Sequence, residues 1–101
     1  MVTIFIMYNL HKSVDIEDYK HFHYTRDKPT VLSQPGIRGF TLYKVTGGSN
    51  APPREIVEII EADSWEAWTR ARSTKGMLEL HEDWKRYCDE ASLLMNYGER
   101  I

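Results

Sequence analysis

The sequence is poor in cysteine, in charge of a single sign and in long apolar runs. Cys88 is the one cysteine among 101 residues, so no disulfide can form within the chain and a reducing cytoplasm is the expected location. Thirteen basic residues are scattered among fifteen acidic ones, and no basic stripe offers a surface for nucleic acid. The apolar start, Met1–Leu10, is too short to cross a membrane and lacks the features of a signal peptide. We therefore expect neither nucleic acid nor a membrane as partner.

No sequence motif for a metal, a phosphate group or a serine nucleophile is present. The histidines and acids lack the HExxH spacing of metal sites, and His21 and His23, which are two residues apart, are predicted to lie on different sides of the first helix. Gly47-Gly48 opens the segment GGSNAPP, which predicts a hairpin loop and not a phosphate-binding loop. Nothing in the chain resembles a nucleophile elbow. We therefore expect a protein with no metal and no tightly bound cofactor.

Four segments have the composition of β-strands. Residues 2–10 (VTIFIMYNL) carry apolar side chains at both alternating sets of positions, which predicts a central strand that is covered on both faces. Residues 37–46 and 54–62 flank the loop at 47–53, as expected for a hairpin. Residues 92–97 (SLLMNY) form the last predicted strand.

Two helical regions separate these strands. The first begins with Asp15 as N-cap and is predicted to end or break near Asp27, because Pro29 disfavours helical geometry at the residue before it. The second begins with Asp63 as N-cap, breaks after a short helix, and resumes over residues 77–90.

The order β-α-β-β-α-β predicts a single α+β domain over residues 1–101. It is the split βαβ, or ferredoxin-like, pattern, in which the helices cover one face of a four-stranded antiparallel sheet. The opposite face would carry Phe5 and Met7 and therefore needs a cover. The simplest cover is a second copy of the chain related by a two-fold axis, so we expect a homodimer through the open sheet face. The alternative is a monomer with an exposed apolar patch.

One part of the sequence carries a family resemblance. The stretch Arg26–Val31 (RDKPTV), followed by Pro35 and by Phe40–Gly47 (FTLYKVTG), resembles the REDY-like HapK family. Chain length, element order and the apolar first strand are also similar to those of the dimeric α/β-barrel superfamily. The resemblance extends over essentially the whole chain and is sharpest over residues 19–47. It implies a dimeric α/β barrel and a biosynthetic or catabolic setting.

The first helix also resembles that of the related EthD group. Tyr19 matches the first aromatic residue of that group's pattern, Phe22-His23 occupy its Tyr-Trp pair, and Pro29 matches its proline. Asp27 stands where the EthD group has histidine. Any function carried over from that histidine would therefore fall to Asp27, an acid with a different pKa.

In this superfamily the small-molecule pocket lies between the sheet and the helices, which directs attention to polar residues on the inner helix faces. His23 and Asp27 are four residues apart on the first helix, so their side chains can meet and act as a general base or acid. His81 shares its side of the last helix with Trp84. We take His23, Asp27 and His81 as catalytic candidates. The plainer interpretation is a surface pair and a half-exposed histidine.

Aromatic side chains and one arginine are the candidates for binding a flat substrate. Such rings can stack on a ligand, and Arg26 can hold a carboxylate with two hydrogen bonds. Core packing of the rings and a surface position for the arginine are the alternatives. The candidate substrate-binding residues are Tyr8, Tyr19, Tyr24, Arg26, Tyr43, Trp65, Trp68 and Trp84.

These features favour a small cofactor-independent enzyme of the lyase, cyclase or isomerase type. A His or Asp would move a proton next to a carbonyl of an aromatic or polyketide-like compound, and a Tyr or Arg would stabilise the oxyanion.

Two other functions remain open at the level of sequence. One is a monooxygenase of the antibiotic-biosynthesis or haem-degrading type, for which Asn9, Trp68 and His81 are a partial match. The tryptophan lies about one turn earlier than that haem-degrading pattern requires. The other is a non-catalytic protein that binds a small molecule.

Overall fold

The computed structural model describes all 101 residues, Met1–Ile101, and has the predicted order of elements. A π-helical segment at His23–Asp27 joins the first two helices. The strands are β1 (Val2–Leu10), β2 (Ile37–Lys44), β3 (Ile56–Ala62) and β4 (Cys88–Gly98), and the helices are α1 (Ile16–Phe22), α2 (Lys28–Leu32), α3 (Trp65–Arg72) and α4 (Lys75–Trp84). None of the helices combines the length and the apolar character needed to cross a membrane.

The four strands form one antiparallel sheet in the order β2-β3-β1-β4. The predicted central position of β1 is therefore confirmed. Its alternate side chains Ile4, Ile6 and Tyr8 point toward the helices and are buried. In register with them, Ile60 lies opposite Ile4, and Ile56 lies opposite Tyr8. These residues belong to a single apolar core of 18 buried residues between the sheet and the helices.

The other side of the sheet has no helix against it. This open face carries Phe5, Met7, Val57, Ile59 and Leu94, which are neighbours in the strand register. Phe5 is 43% exposed and Leu94 is 42% exposed, and the other three are half-buried. The predicted apolar character of both faces of β1 is confirmed.

The first helical region begins as predicted and ends later than predicted. The Asp15 side chain caps α1 by accepting a hydrogen bond from the backbone N–H of Glu17 at 2.7 Å. The chain does not leave helical geometry near Asp27, since α2 continues to Leu32, but the regular winding is interrupted there by the π-helical segment that ends at Asp27. In the π-helical segment the Lys28 N–H bonds to the carbonyl five residues earlier. The extra residue of a π turn displaces the carbonyl with which the following proline ring would otherwise clash.

The start of the second helical region is shifted by one residue. Ser64, and not Asp63, is the N-cap of α3, and its hydroxyl accepts from the backbone N–H of Ala67 at 3.0 Å. Asp63 instead accepts two hydrogen bonds from Arg38 on β2, at 2.9 and 3.0 Å. The predicted cap was wrong because the sequence does not show this cross-strand arginine.

The predicted last helix is too long at its C-terminal end. It ends at Trp84, and residues 85–87 turn the chain into β4, where Cys88 pairs with Leu10. The predicted helical residues 85–90, among them Tyr87 and Cys88, therefore lie outside the helix. The pairing with β1 outweighs the helical spacing of the side chains.

Gly36, in the turn before β2, has a backbone conformation that other residues rarely adopt. Its φ angle is +82°, and an added Cβ would lie 2.9 Å from the Cβ of Ala67. We expect Gly36→Ala to lower the free energy of unfolding by about 1–3 kcal/mol, measured by urea denaturation. The matched control is Gly76→Ala on α4, where an added Cβ meets nothing within 4 Å and helix propensity improves. A Gly36→Ala protein as stable as wild type would contradict this prediction.

Candidate active site

A cavity of about 500 Å³ lies between the sheet and the helices. Ten of its sixteen lining residues are hydrophobic. The sheet contributes Ile6, Leu93 and Met95, and the helices contribute Trp68 and Trp84 among others. A volume of this size and an apolar wall are typical of pockets for small organic molecules.

The cavity opens at the junction of α3 and α4. Its exposed lining residues are Thr69, Arg72, Ser73 and Leu78, which belong to the end of α3, the connection and the start of α4. The lining residues from β1 and β3 are buried, so the sheet closes the cavity at its inner end. A ligand that enters between the two helices would meet the inner polar groups last.

The π-helical segment brings His23 and Asp27 together. Nδ1 of His23 is 2.9 Å from Oδ2 of Asp27, and both side chains are buried. The ring therefore donates from Nδ1 whenever the carboxyl group is ionised. The two residues differ in position, because Asp27 lines the cavity, whereas His23 lies behind it with its ring edge-on to Phe40. Asp27 is therefore positioned to contact a ligand, and the hydrogen bond with His23 orients the Asp27 carboxyl.

The ionisation of Asp27 is governed by two opposing effects. Burial raises the pKa of Asp27 above its ordinary value, because the low-dielectric interior disfavours the charged form. The hydrogen bond from His23 and the charge interaction with it lower the pKa and offset part of this rise. The net result is a carboxyl whose pKa lies above its ordinary value.

A second buried carboxyl, that of Glu58, enters the cavity from β3. The alternation of β3 places Glu58 on the buried face between Ile56 and Ile60. The Tyr8 hydroxyl donates to Oε2 of Glu58, and the Tyr19 hydroxyl is hydrogen-bonded to that of Tyr8. Glu58 and the two tyrosines thus form a buried polar chain within the apolar core.

The pKa of Glu58 is raised well above its ordinary value. Burial is the largest cause, and the negative charge of Asp27 adds to it, while the hydrogen bond from Tyr8 acts in the opposite direction. Burial also raises the pKa of Tyr8 and of Tyr19, with the charge of Glu58 as the next cause for each. Two carboxyls in one enclosed site resist simultaneous ionisation, so we expect Glu58 to hold a proton while Asp27 is charged.

One oxygen of each carboxyl is left for a ligand. Oδ2 of Asp27 is bound to His23 and Oε2 of Glu58 is bound to Tyr8. The second oxygen of each carboxyl has no hydrogen-bond partner. Among the side-chain nitrogen and oxygen atoms that are fully buried, however, only Nε2 of His23 lacks a partner. The free oxygens of Asp27 and Glu58 therefore have open space beside them, and both residues line the cavity.

The third catalytic candidate, His81, lies on the cavity wall apart from this pair. Its ring stacks on Trp84, with centroids 5.2 Å apart. Its Nε2 is 2.5 Å from Oε2 of Glu90 on β4, and this hydrogen bond lowers the pKa of Glu90. Because both partners are about half exposed, this pair contributes little to stability.

The predicted substrate-binding residues fall into two groups. Tyr8, Trp68 and Trp84 line the cavity, and Tyr19 contacts it through the Tyr8 hydroxyl. Tyr8 is edge-on to Trp84 with centroids 5.0 Å apart. This group therefore shares one enclosed space with Asp27.

The remaining four candidates lie outside the cavity. Tyr24 and Tyr43 are 58% and 55% exposed. Trp65 stacks on Tyr97 with centroids 4.3 Å apart. Arg26 is held by Asp83, with Nε and Oδ2 at 3.2 Å. Their assignment to substrate binding is therefore not supported by their positions.

The residues of the haem-degrading pattern are not brought together. Trp68 and His81 line the cavity, but the Asn9 side chain accepts a hydrogen bond from the backbone N–H of Glu55 at 2.9 Å. No three side chains among the histidines, acids and cysteine meet in an arrangement suited to a metal ion.

Two charged residues of the cavity, Glu58 and Arg72, were not predicted from the sequence. The signal for Glu58 was present, because it occupies an inward position of the strand REIVEIIEA whose other inward residues are apolar. An acid at such a position is costly to bury unless it has a function or a partner. Arg72 carried no comparable signal, since its position beside the cavity depends on how α3 packs.

Comparison with known proteins shows which family the chain belongs to. The model of the family described as REDY-like protein HapK matches residues 2–100. HapK from Hahella chejuensis has a similar solved structure, with a TM-score of 0.83 and 20% identity over 100% of this chain and 93% of that one. An EthD family protein from Bacillus halodurans has a TM-score of 0.76 and 17% identity over 100% and 99% of the two chains. No curated protein matches the sequence.

Two further solved structures are similar in fold. SnoaB from Streptomyces nogalater is described as a cofactor-independent oxygenase and has a TM-score of 0.78 and 16% identity over 99% of this chain and 92% of that one. A protein from Bacteroides fragilis is described as dimeric with a ferredoxin-like fold, and has a TM-score of 0.67 and 12% identity over 98% and 95% of the chains. The predicted ferredoxin-like fold is thus confirmed, as is the predicted family. The chain belongs to the REDY-like HapK family.

Proposed function

We propose that this protein is a small cofactor-independent enzyme that transfers protons on an aromatic or polyketide-like substrate. The observation that carries the proposal is the pair of buried carboxyls, Asp27 and Glu58, which line one apolar cavity and each have an oxygen without a hydrogen-bond partner. Lyases, cyclases and isomerases that act next to a carbonyl group move a proton from the adjacent carbon, and a largely apolar cavity favours that step.

The two carboxyls have different parts in this scheme. Asp27, charged and oriented by His23, removes a proton from carbon. Glu58, which holds its own proton, donates a hydrogen bond to the oxygen on which negative charge develops. Two acids whose surroundings separate their pKa values are the usual basis for a division into base and acid. Tyr8 supports Glu58 through its hydroxyl.

The aromatic walls supply binding and orientation. Trp68 and Trp84 line the cavity on the helix side, and Met95 accepts a hydrogen bond from Nε1 of Trp68 at 3.5 Å, which holds that ring in place. Rings fixed in this way can stack on a flat ligand without losing much side-chain freedom. The proposed substrate is therefore planar and largely apolar.

The proposal includes a homodimer of this single domain through the open face. Its support is the apolar character of Phe5, Met7, Val57, Ile59 and Leu94, with no helix against them. The similar protein from Bacteroides fragilis is described as dimeric, which agrees with this arrangement. The cavity lies on the opposite side of the sheet and stays open in such a dimer.

An oxygenase is the second candidate, favoured by the structural similarity to SnoaB. It would use the same cavity, with Asp27 forming a substrate carbanion that reacts with O₂. Oxygen consumption in the presence of substrate separates the two functions. A protein that only binds its ligand would give neither proton exchange nor oxygen uptake.

The test of the proposed function uses 2-tetralone, a planar ketone with acidic protons beside its carbonyl. The protein is incubated with it in D₂O, and loss of the α-proton signals is followed by NMR. We expect exchange at least about 100-fold faster than in protein-free buffer. Exchange no faster than in buffer, despite saturable binding of the ketone, would contradict proton transfer and leave the binding function.

A further inference from the structure

The cavity has opposite electrostatic character at its two ends. The inner end carries the carboxyls of Asp27 and Glu58. Arg72 lies at the opening, and the half-exposed His81 is also on the wall. The wall of the cavity as a whole is mainly apolar, since ten of its sixteen lining residues are hydrophobic. A ligand that fills the cavity therefore meets acids at one end and a permanent cation at the other.

Arg72 is free to bind a ligand. Three other arginines, Arg26, Arg38 and Arg54, are each held by hydrogen bonds to an acid or a carbonyl. The guanidinium of Arg72 has no hydrogen bond or ion pair, although its residue lines the cavity and is exposed. A guanidinium offers planar paired donors that match a carboxylate.

The inner end of the cavity disfavours a ligand carboxylate. A ligand carboxylate placed beside Glu58 and the charged Asp27 would be a second negative charge in an enclosed site, at a cost that grows with burial. A substrate with one anionic end is therefore held in a single orientation. The anion lies at the opening and the carbonyl lies at the two acids, which is the orientation that proton transfer requires.

We propose that the substrate is an aromatic or polyketide-like acid whose carboxylate is bound by Arg72 at the cavity opening. This proposal rests on the proposed function and specifies its substrate class. The apolar body of the acid occupies the space beside Trp68 and Trp84. Arg72 is thus a binding and orienting residue and takes no part in the proton transfer itself.

The experiment compares two probes of equal shape and different charge, 2-naphthoate and 2-naphthamide, by isothermal titration calorimetry near neutral pH. We expect wild type to bind the carboxylate about tenfold more tightly than the amide, which corresponds to one exposed charge-assisted hydrogen-bonded pair. Arg72→Gln should abolish this preference by weakening naphthoate binding alone. The matched control is Arg70→Gln, which makes the same charge change on the last turn of α3 but does not line this cavity, and it should keep the preference.

Each outcome decides between the two proposals. Equal binding of both probes to wild type, or an unchanged preference in Arg72→Gln, overturns the carboxylate proposal and leaves the apolar cavity as a binding site. If neither probe binds, the carboxylate proposal is overturned, and the cavity no longer supports the proposed function. Circular dichroism of each variant shows that a lost preference does not come from unfolding.

Discussion

Replacing Asp27 with asparagine is expected to lower the rate of 2-tetralone exchange by about 10²–10⁴-fold, the range typical of a removed general base. The amide has nearly the same shape and can still bond to Nδ1 of His23, but it cannot accept a proton from carbon. The measurement is the NMR exchange rate at saturating ketone. The matched control is Asp18→Asn on the exposed first turn of α1, which makes the same chemical change outside the cavity. An exchange rate in Asp27→Asn equal to that of wild type would exclude Asp27 as the base.

The positioning function of His23 gives this experiment a second readout. Exchange requires ionised Asp27, so the rate rises with pH through the pKa of that carboxyl. The hydrogen bond from His23 lowers this pKa, and its removal in His23→Ala therefore moves the rise to higher pH. A change in rate with no shift of the pH profile would indicate that His23 acts only through stability.

A lysine on the open face is expected to convert the protein from dimer to monomer. In Ile59→Lys, the two-fold axis places two unpaired charges in the buried contact, and a cost of about 3–5 kcal/mol weakens the dimer by about 10³-fold. Sedimentation velocity should give twice 11.9 kDa for wild type and a single 11.9 kDa species for the variant. Ile59 is suitable because it lies on a central strand opposite Phe5 and does not line the cavity.

Leu32→Lys is the matched control for this prediction. Leu32 ends α2 on the helical side of the sheet and is 38% exposed, so the same substitution should leave the dimer intact. A wild-type protein that sediments at 11.9 kDa at working concentration would contradict the dimer directly. A dimer that survives Ile59→Lys would place the contact on another surface.

The fold was predictable because its signals are local and repeated. The apolar side chains on both faces of residues 2–10 identified a buried strand, the loop at 47–53 identified a hairpin, and the capping by Asp15 identified the start of the first helix. Errors arose where distant partners decide the local structure. Asp63 is bound to Arg38 and does not cap α3. Cys88 pairs with Leu10 and is therefore part of a strand.

The site was predictable only in part, for a physical reason. The spacing of His23 and Asp27 was sufficient to predict their contact, since residues four apart on a helix are neighbours. Which of the two faces the cavity depends on the rotation of the helix against the sheet. Arg72 depends on packing in the same way. Glu58 could have been found by asking why an acid interrupts a row of apolar residues.

The π-helical segment His23–Asp27 determines both the position of the Asp27 carboxyl and the packing of the helix that follows it. Removing one residue from this segment would restore regular winding and rotate everything after it by about 100°. Val31, which is buried and lines the cavity, would then turn away from the sheet. Because Val31 follows this segment, the chain cannot return to regular α-helical winding here without removing the Val31 side chain from the core. A family member that lacks the extra residue must therefore pack its second helix differently against the sheet.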